Sequence, residues 1–138
     1  MNLDLWPLEK TTSEVFERMF YLFPLQGDSP PPQSALTPWR ISLRDQEKTL
    51  FLRGVFSPEV AKAMAANYLG LPEEEVTPSL ADLTLRETIN VLAGNLLSLL
   101  AEPFELGIPE RDPTPKSPPL LSLPFFLDQG SFLLEITE

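Results

Sequence analysis

Sixteen prolines in 138 residues restrict this chain more than any other feature of its sequence. Proline fixes φ and has no backbone N–H to donate, so a cluster of prolines can neither continue a helix nor sit inside a sheet. "PLQGDSPPPQSALTP", residues 24–38, holds five of them with one glycine, and "PERDPTPKSPP", residues 109–119, holds five more. Both read as loops, so regular structure has to form around them. The second stretch is too short and aperiodic to read as a proline-rich ligand.

Ahead of the first loop, "TTSEVFERMFYLF" spaces Val15, Phe16, Met19, Phe20 and Phe23 as a helix does, and the polar residues from Thr11 are placed to cap its start. Between the loops, "WRISL" (39–43) and "TLFLRGVF" (49–56) are β-branched and aromatic, and the polar "RDQEK" separates them. That pattern predicts an antiparallel hairpin. Ser57 then caps a second helix, with Pro58 in its first turn, Ala61, Met64, Ala65, Tyr68 and Leu69 on its apolar side, and Gly70 at its end. "LPEEEVTPSL" reads as an acidic linker with its charges in solvent. A third helix is predicted over about residues 80–101, stopped by Pro103, with "FELGI" (104–108) as a short strand. "LLSLPFFL" and "SFLLEIT" flank "DQG", where Gly130 can supply the positive φ of a three-residue hairpin loop. Two hairpins and three helices without βαβ alternation predict an α+β fold, an antiparallel sheet covered on one face by helices. The length and the 43% hydrophobic content fit one domain over residues 1–138, and no internal repeat is visible.

The residue types exclude much chemistry. The chain has no Cys and no His, which removes disulfides, thiolate nucleophiles, imidazole bases and zinc held by nitrogen or sulfur. A net charge of −10 opposes nucleic acid and anionic membrane surfaces. "MNLDLWPLEK" lacks a basic start followed by an apolar run, and no apolar stretch has the length of a membrane span. The expectation is a soluble cytoplasmic protein.

Within "LRETINVLAGNLL" (85–97), Leu85, Ile89, Leu92, Ala93 and Leu96, continued by Leu99 and Leu100, fall on one side of a helical wheel. Leu83, Glu87, Asn90 and Gly94 fall on the opposite side, within about 60° of one another. Glu87 and Asn90 are three residues apart, which places their Cβ atoms about 5–6 Å from each other, close enough to act on one bound group. Gly94, one turn on, lets another surface approach, and Leu83, Val91 and Leu97 border the polar line as an apolar fringe for a partner. The plain alternative is that Glu87 and Asn90 are ordinary surface polars and that Gly94 serves only helix–sheet packing.

"LGLPEEEVTPSLADLTLRETINVLAGNLLSLL" resembles the chemotaxis phosphatases of the CheX and CheC group, and CheX more closely. Glu87-Thr88-Ile89-Asn90 matches the family's Glu-x-x-Asn, and Ala93-Gly94-Asn95 matches the Ala-Gly-Asn that follows it in CheX-like members. The family's later proline falls at Pro113, and "VFSPEVAKAMAANYLG" resembles the approach to the motif. CheC-like proteins tend to carry a second motif on their first helix, but here Glu14 and Glu17 are followed at the third position by Glu17 and Phe20. One site per chain is expected. The family often has Asp or Ser four residues before the Glu, where this chain has Leu83, with Asp82 one residue out of step.

The resemblance implies hydrolysis of the aspartyl phosphate of a CheY-like response regulator. Asn90 would orient the attacking water and Glu87 would pair with the partner's active-site lysine. Mg²⁺ would come with the partner, and this chain would bind no cofactor or metal of its own. A homodimer through a sheet edge is also implied, and "SFLLEIT" is apolar enough to be a liability if left as a bare edge. A non-catalytic domain of the same fold that binds a receiver or scaffolds an assembly is the second reading. A carboxylate enzyme using Glu87 with Asp82 or Glu102 is a third, more distant one.

Overall fold

Local sequence rules place most elements of this computed structural model, which describes residues 7–27, 34–100, 103–112 and 118–138. The order is α1 (Leu8–Phe20), β1 (Leu25–Gln26), β2 (Trp39–Arg44), β3 (Thr49–Phe56), α2 (Pro58–Leu69), a 3₁₀ turn (Glu73–Glu75), α3 (Pro78–Leu99), β4 (Glu105–Leu106), β5 (Glu110–Arg111), β6 (Leu121–Leu127) and β7 (Gly130–Thr137). Among the described residues every strand pairing is antiparallel, in the order β1-β6-β7-β3-β2-β4 with β5 also on β2. The expected α+β class, with helices on one face of an antiparallel sheet, is the observed one.

Alternation along the central strands decides which face the helices cover. Ile41, Leu43, Leu50, Leu52, Phe132, Leu134 and Ile136 are buried and belong to one core with the inward residues of the three helices. Phe132 sits between aromatic neighbours, with ring centroids 4.7 Å from Phe16, 5.1 Å from Phe56 and 4.9 Å from Phe125. The opposite face carries Arg40, Arg53, Val55, Leu133 and Glu135. Arg53, only 6% exposed, donates to Asp112 at 3.0 Å and to Glu135 at 2.8 Å. Arg40 donates to Glu110 at 2.8 Å and lies over the Phe51 ring. A face without helices is thus closed by paired charges and the stems that carry them.

Several boundaries differ from expectation. α1 begins at Leu8 behind Pro7, with no side-chain cap bond, and Thr11 and Thr12 are buried inside it. The Thr12 hydroxyl donates to the Leu8 carbonyl at 2.7 Å instead of capping. Tyr21 leaves the helix with φ 53°, so Phe23 lies beyond its end and is 67% exposed. The first proline-rich loop contains the two-residue β1, which pairs with β6. α2 follows its signals closely: Ser57 accepts from the Val60 amide, Pro58 is in the first turn, and Gly70 ends the helix at φ 68°. Tyr68 and Leu69 are nonetheless exposed. In the last hairpin the turn is Asp128–Gln129, and Gly130 already pairs with Leu127 as the first residue of β7. A Cβ at Gly130 would stand 2.6 Å from Ser57 Oγ, so close packing against the start of α2 calls for glycine there. β7 is also no edge. It lies between β6 and β3, and its apolar run is central core.

Candidate functional site

α3 starts two residues earlier than expected because Thr77 caps it, accepting from the Leu80 amide at 3.2 Å, and Pro78 occupies its first turn. It ends at Leu99, so Leu100 caps it rather than extending it, and Leu99 is half exposed instead of core. Ala81, Thr84, Leu85, Thr88, Ile89, Leu92, Ala93 and Leu96 form the buried side. α1, α2 and the sheet all pack against that side.

Two features fix the rotation of α3 on the sheet. Ile89 rests directly over Gly54 of β3, where a Cβ would lie 2.7 Å from Ile89 Cδ1 and 2.7 Å from Phe56 Cε2. Closer to the helix start, Asp82 accepts from Trp39 Nε1 at 3.0 Å and pairs with Arg111, whose guanidinium lies over the Trp39 ring. Asp82 is therefore held against β2 and β5. It does not stand in for the acid that the family often has four residues before the Glu.

That rotation turns Leu83, Glu87 and Asn90 outward, and all three are exposed. Leu83 is 57% exposed. Val91 and Leu97 are half-buried and pack against the core, so only their edges border the line. Gly94 is partly exposed, and a Cβ placed on it would meet nothing within 4 Å. Packing of the helix on the sheet does not require glycine at 94. The close approach between helix and sheet is made at Gly54, which the sequence did not flag.

Hydrogen bonding separates the polar residues of α3 into two sets. Thr84 donates to the Leu80 carbonyl at 2.8 Å, Thr88 to Thr84 at 2.7 Å, Asn95 to Val91 at 2.9 Å and Ser98 to Asn95 at 2.8 Å. Asp82 is used as described. Among the described residues, Arg86, Glu87 and Asn90 make no side-chain hydrogen bond or ion pair. These three adjoin one another on the exposed side of the helix, with donors, acceptors and one charge of each sign free for an external group. The sequence reading singled out Glu87 and Asn90 but passed over Arg86, which the i, i+4 relation to Asn90 would have found.

The carboxylate enzyme reading finds no pair of acids here. Asp82 and Glu87 diverge by about 140° on the helix, Asp82 is occupied, and Glu102, like Pro113, lies outside the described residues. Among the described residues no three His, Cys, Asp or Glu side chains converge as a metal site, and no helix is long and apolar enough to cross a membrane.

Residues 44–111 match the family described as chemotaxis phosphatase CheX. No curated protein matches the chain. Among solved structures, the chain is similar to the chemotaxis protein CheX from Vibrio vulnificus, at 16% identity and a TM-score of 0.79, with 99% of this chain and 96% of that one covered. It is similar to a CheC-like superfamily protein from Shewanella sp. PV-4 at 19% identity and a TM-score of 0.80, covering 99% and 98%. A CheX–CheY–BeF₃–Mg²⁺ complex from Borrelia burgdorferi aligns at 17% identity and a TM-score of 0.61, covering 95% and 94%. These likenesses carry the fold, and the family match covers the segment that holds Glu87 and Asn90.

Proposed function

We propose that this CheX-like chain, acting as one cytoplasmic domain, docks the exposed side of α3 onto a phosphorylated CheY-like receiver and hydrolyses its aspartyl phosphate. The observation that carries the reading is the line of Glu87 and Asn90 with open side chains, beside a Gly94 that no internal contact requires. Asp82, Thr84, Thr88 and Asn95 on the same helix are by contrast used within the protein.

Phosphoryl transfer depends mostly on positioning and electrostatics, so a neutral amide is sufficient to hold an in-line water without accepting its proton. In this reading Asn90 enters the receiver's site and orients that water, while Glu87 pairs with a receiver lysine and sets the docking register. Once desolvated, such a charge-assisted contact is stronger than a surface ion pair. Glu87 is one carboxylate, and Mg²⁺ takes several oxygen ligands, so the metal is proposed to arrive with the receiver.

The test pairs two titrations for each variant: binding to a beryllofluoride complex of the receiver, and phosphate release. Asn90→Ala is expected to abolish accelerated release and leave binding within a few fold, because a water-orienting group acts in the transition state. Glu87→Ala is expected to weaken both. Full activity in Asn90→Ala would refute the mechanism. Exposed Leu83, where the family often has Asp or Ser, favours a second reading in which the domain binds the receiver without catalysis. Wild type that binds the receiver and leaves its dephosphorylation rate unchanged would establish that reading.

A further inference from the structure

Arg86 is the one Lys or Arg in α3, in a chain of net charge −10. Its usual local partner would be the carboxylate four residues back, Asp82, since i, i+4 side chains of opposite charge pair on a helix. That carboxylate is already taken, by Trp39 Nε1 at 3.0 Å and by Arg111. Glu87 is the next residue along, and adjacent residues do not face each other on a helix. Arg86 is left exposed, and among the described residues no carboxylate pairs with it.

Its position gives that unused charge a use. Asn90 is one turn on from Arg86 and one turn on from Glu87, so the three form a triangle with sides of about 5–6 Å between the Cβ atoms of Asn90 and each of the others. A guanidinium on its three-carbon stem spans that distance. Whatever Asn90 acts on is within reach of Arg86. We infer, on the basis of the function proposed above, that Arg86 donates to the phosphoryl oxygens of the docked receiver and makes the surface selective for the phosphorylated form. Arginine suits this role, because its planar fork of donors matches phosphate oxygens and it stays charged at any working pH. It also supplies a local positive charge where a strongly acidic chain meets an anionic group.

The experiment measures the affinities of wild type, Arg86→Gln and Arg86→Lys for the receiver with and without beryllofluoride and Mg²⁺. Circular dichroism confirms that each variant is folded. Wild type is expected to prefer the beryllofluoride form. Arg86→Gln should reduce that preference about tenfold, the worth of one charge-assisted contact, while leaving affinity for the unmodified receiver unchanged. Arg86→Lys, with the charge but without the fork, should fall between the two. An unchanged preference in Arg86→Gln, or an equal loss for both receiver forms, overturns the inference and leaves the phosphatase reading standing. Wild type that binds neither form removes that reading, and this inference with it.

Discussion

Gly54 lies beneath α3 and Gly94 is on the outer side of that helix, and the missing side chain has a different purpose at each. At Gly54 the helix comes so close that a Cβ would stand 2.7 Å from both Ile89 and Phe56. At Gly94 nothing lies within 4 Å. Gly94→Ala should therefore stabilise the fold by about 0.5–1 kcal/mol, the helix-propensity difference, and at the same time weaken receiver binding through the added methyl. Gly54→Ala should destabilise by about 1–3 kcal/mol through overpacking. Denaturant midpoints measure both. A Gly94→Ala variant that gains stability and binds the receiver as well as wild type would remove Gly94 from the docking surface. The sequence made Gly94 conspicuous, since glycine interrupts a good helix there. Gly54 sits in a β-rich run and meets Ile89 only through tertiary packing, so no local pattern pointed to it. Asp82 was opaque for the same reason: its partners Trp39 and Arg111 are 43 and 29 residues away.

At the scale of elements, local chemistry was legible at α2, whereas the Thr77 cap of α3 was read as part of the acidic linker before it. Ser57, Thr77 and their following prolines start α2 and α3, and Gly70 ends α2. Local chemistry misled where burial outweighed capping, as in the Thr11–Thr12 pair inside α1. The β2–β3 turn gives a testable case of a side chain acting on its own backbone. The Asp45 carboxylate accepts from the Glu47 and Lys48 amides at 2.8 Å each, and those two bonds, with a smaller contribution from the Lys48 charge, hold its pKa below the ordinary value. A carboxylate whose folded pKa is depressed adds stability above its unfolded pKa, about pH 4, and that contribution disappears as pH falls through the lower folded value. Wild type should therefore lose more stability than Asp45→Ala on acidification from about pH 6 to well below about pH 4, the unfolded value. Parallel urea titrations over that range check it. Equal losses would mean that the turn does not depend on the charge.

For the whole molecule, the sheet separates two surfaces. Helices and the proposed docking line occupy one side, and the Arg40–Arg53–Glu110–Asp112–Glu135 network closes the other. Arg53 links two carboxylates that are almost fully buried, Asp112 and Glu135. Arg53→Met should destabilise by about 3–5 kcal/mol by leaving buried charge unpaired, and thermal unfolding is the measurement. A small effect would show that solvent or rearrangement compensates the carboxylates. The α+β class was legible from the order of helices and hairpins, but the position of β7 was not: an apolar terminal strand suits an edge pairing and a central place equally well, and only the pairing with both β6 and β3 decides between them. Among the described residues the edges open to the homodimer expected from the family resemblance are β1 and the side of β4 and β5. On the proposed function, the open line on α3 is catalytic. The decay of phosphorylated CheY-like receiver, followed with this chain at one-twentieth of the receiver concentration, tests it most directly. The expected result is complete dephosphorylation faster than the receiver's own rate in wild type, and the receiver's own rate in Asn90→Ala. Decay at the receiver's own rate in both, or acceleration that survives Asn90→Ala, would contradict it.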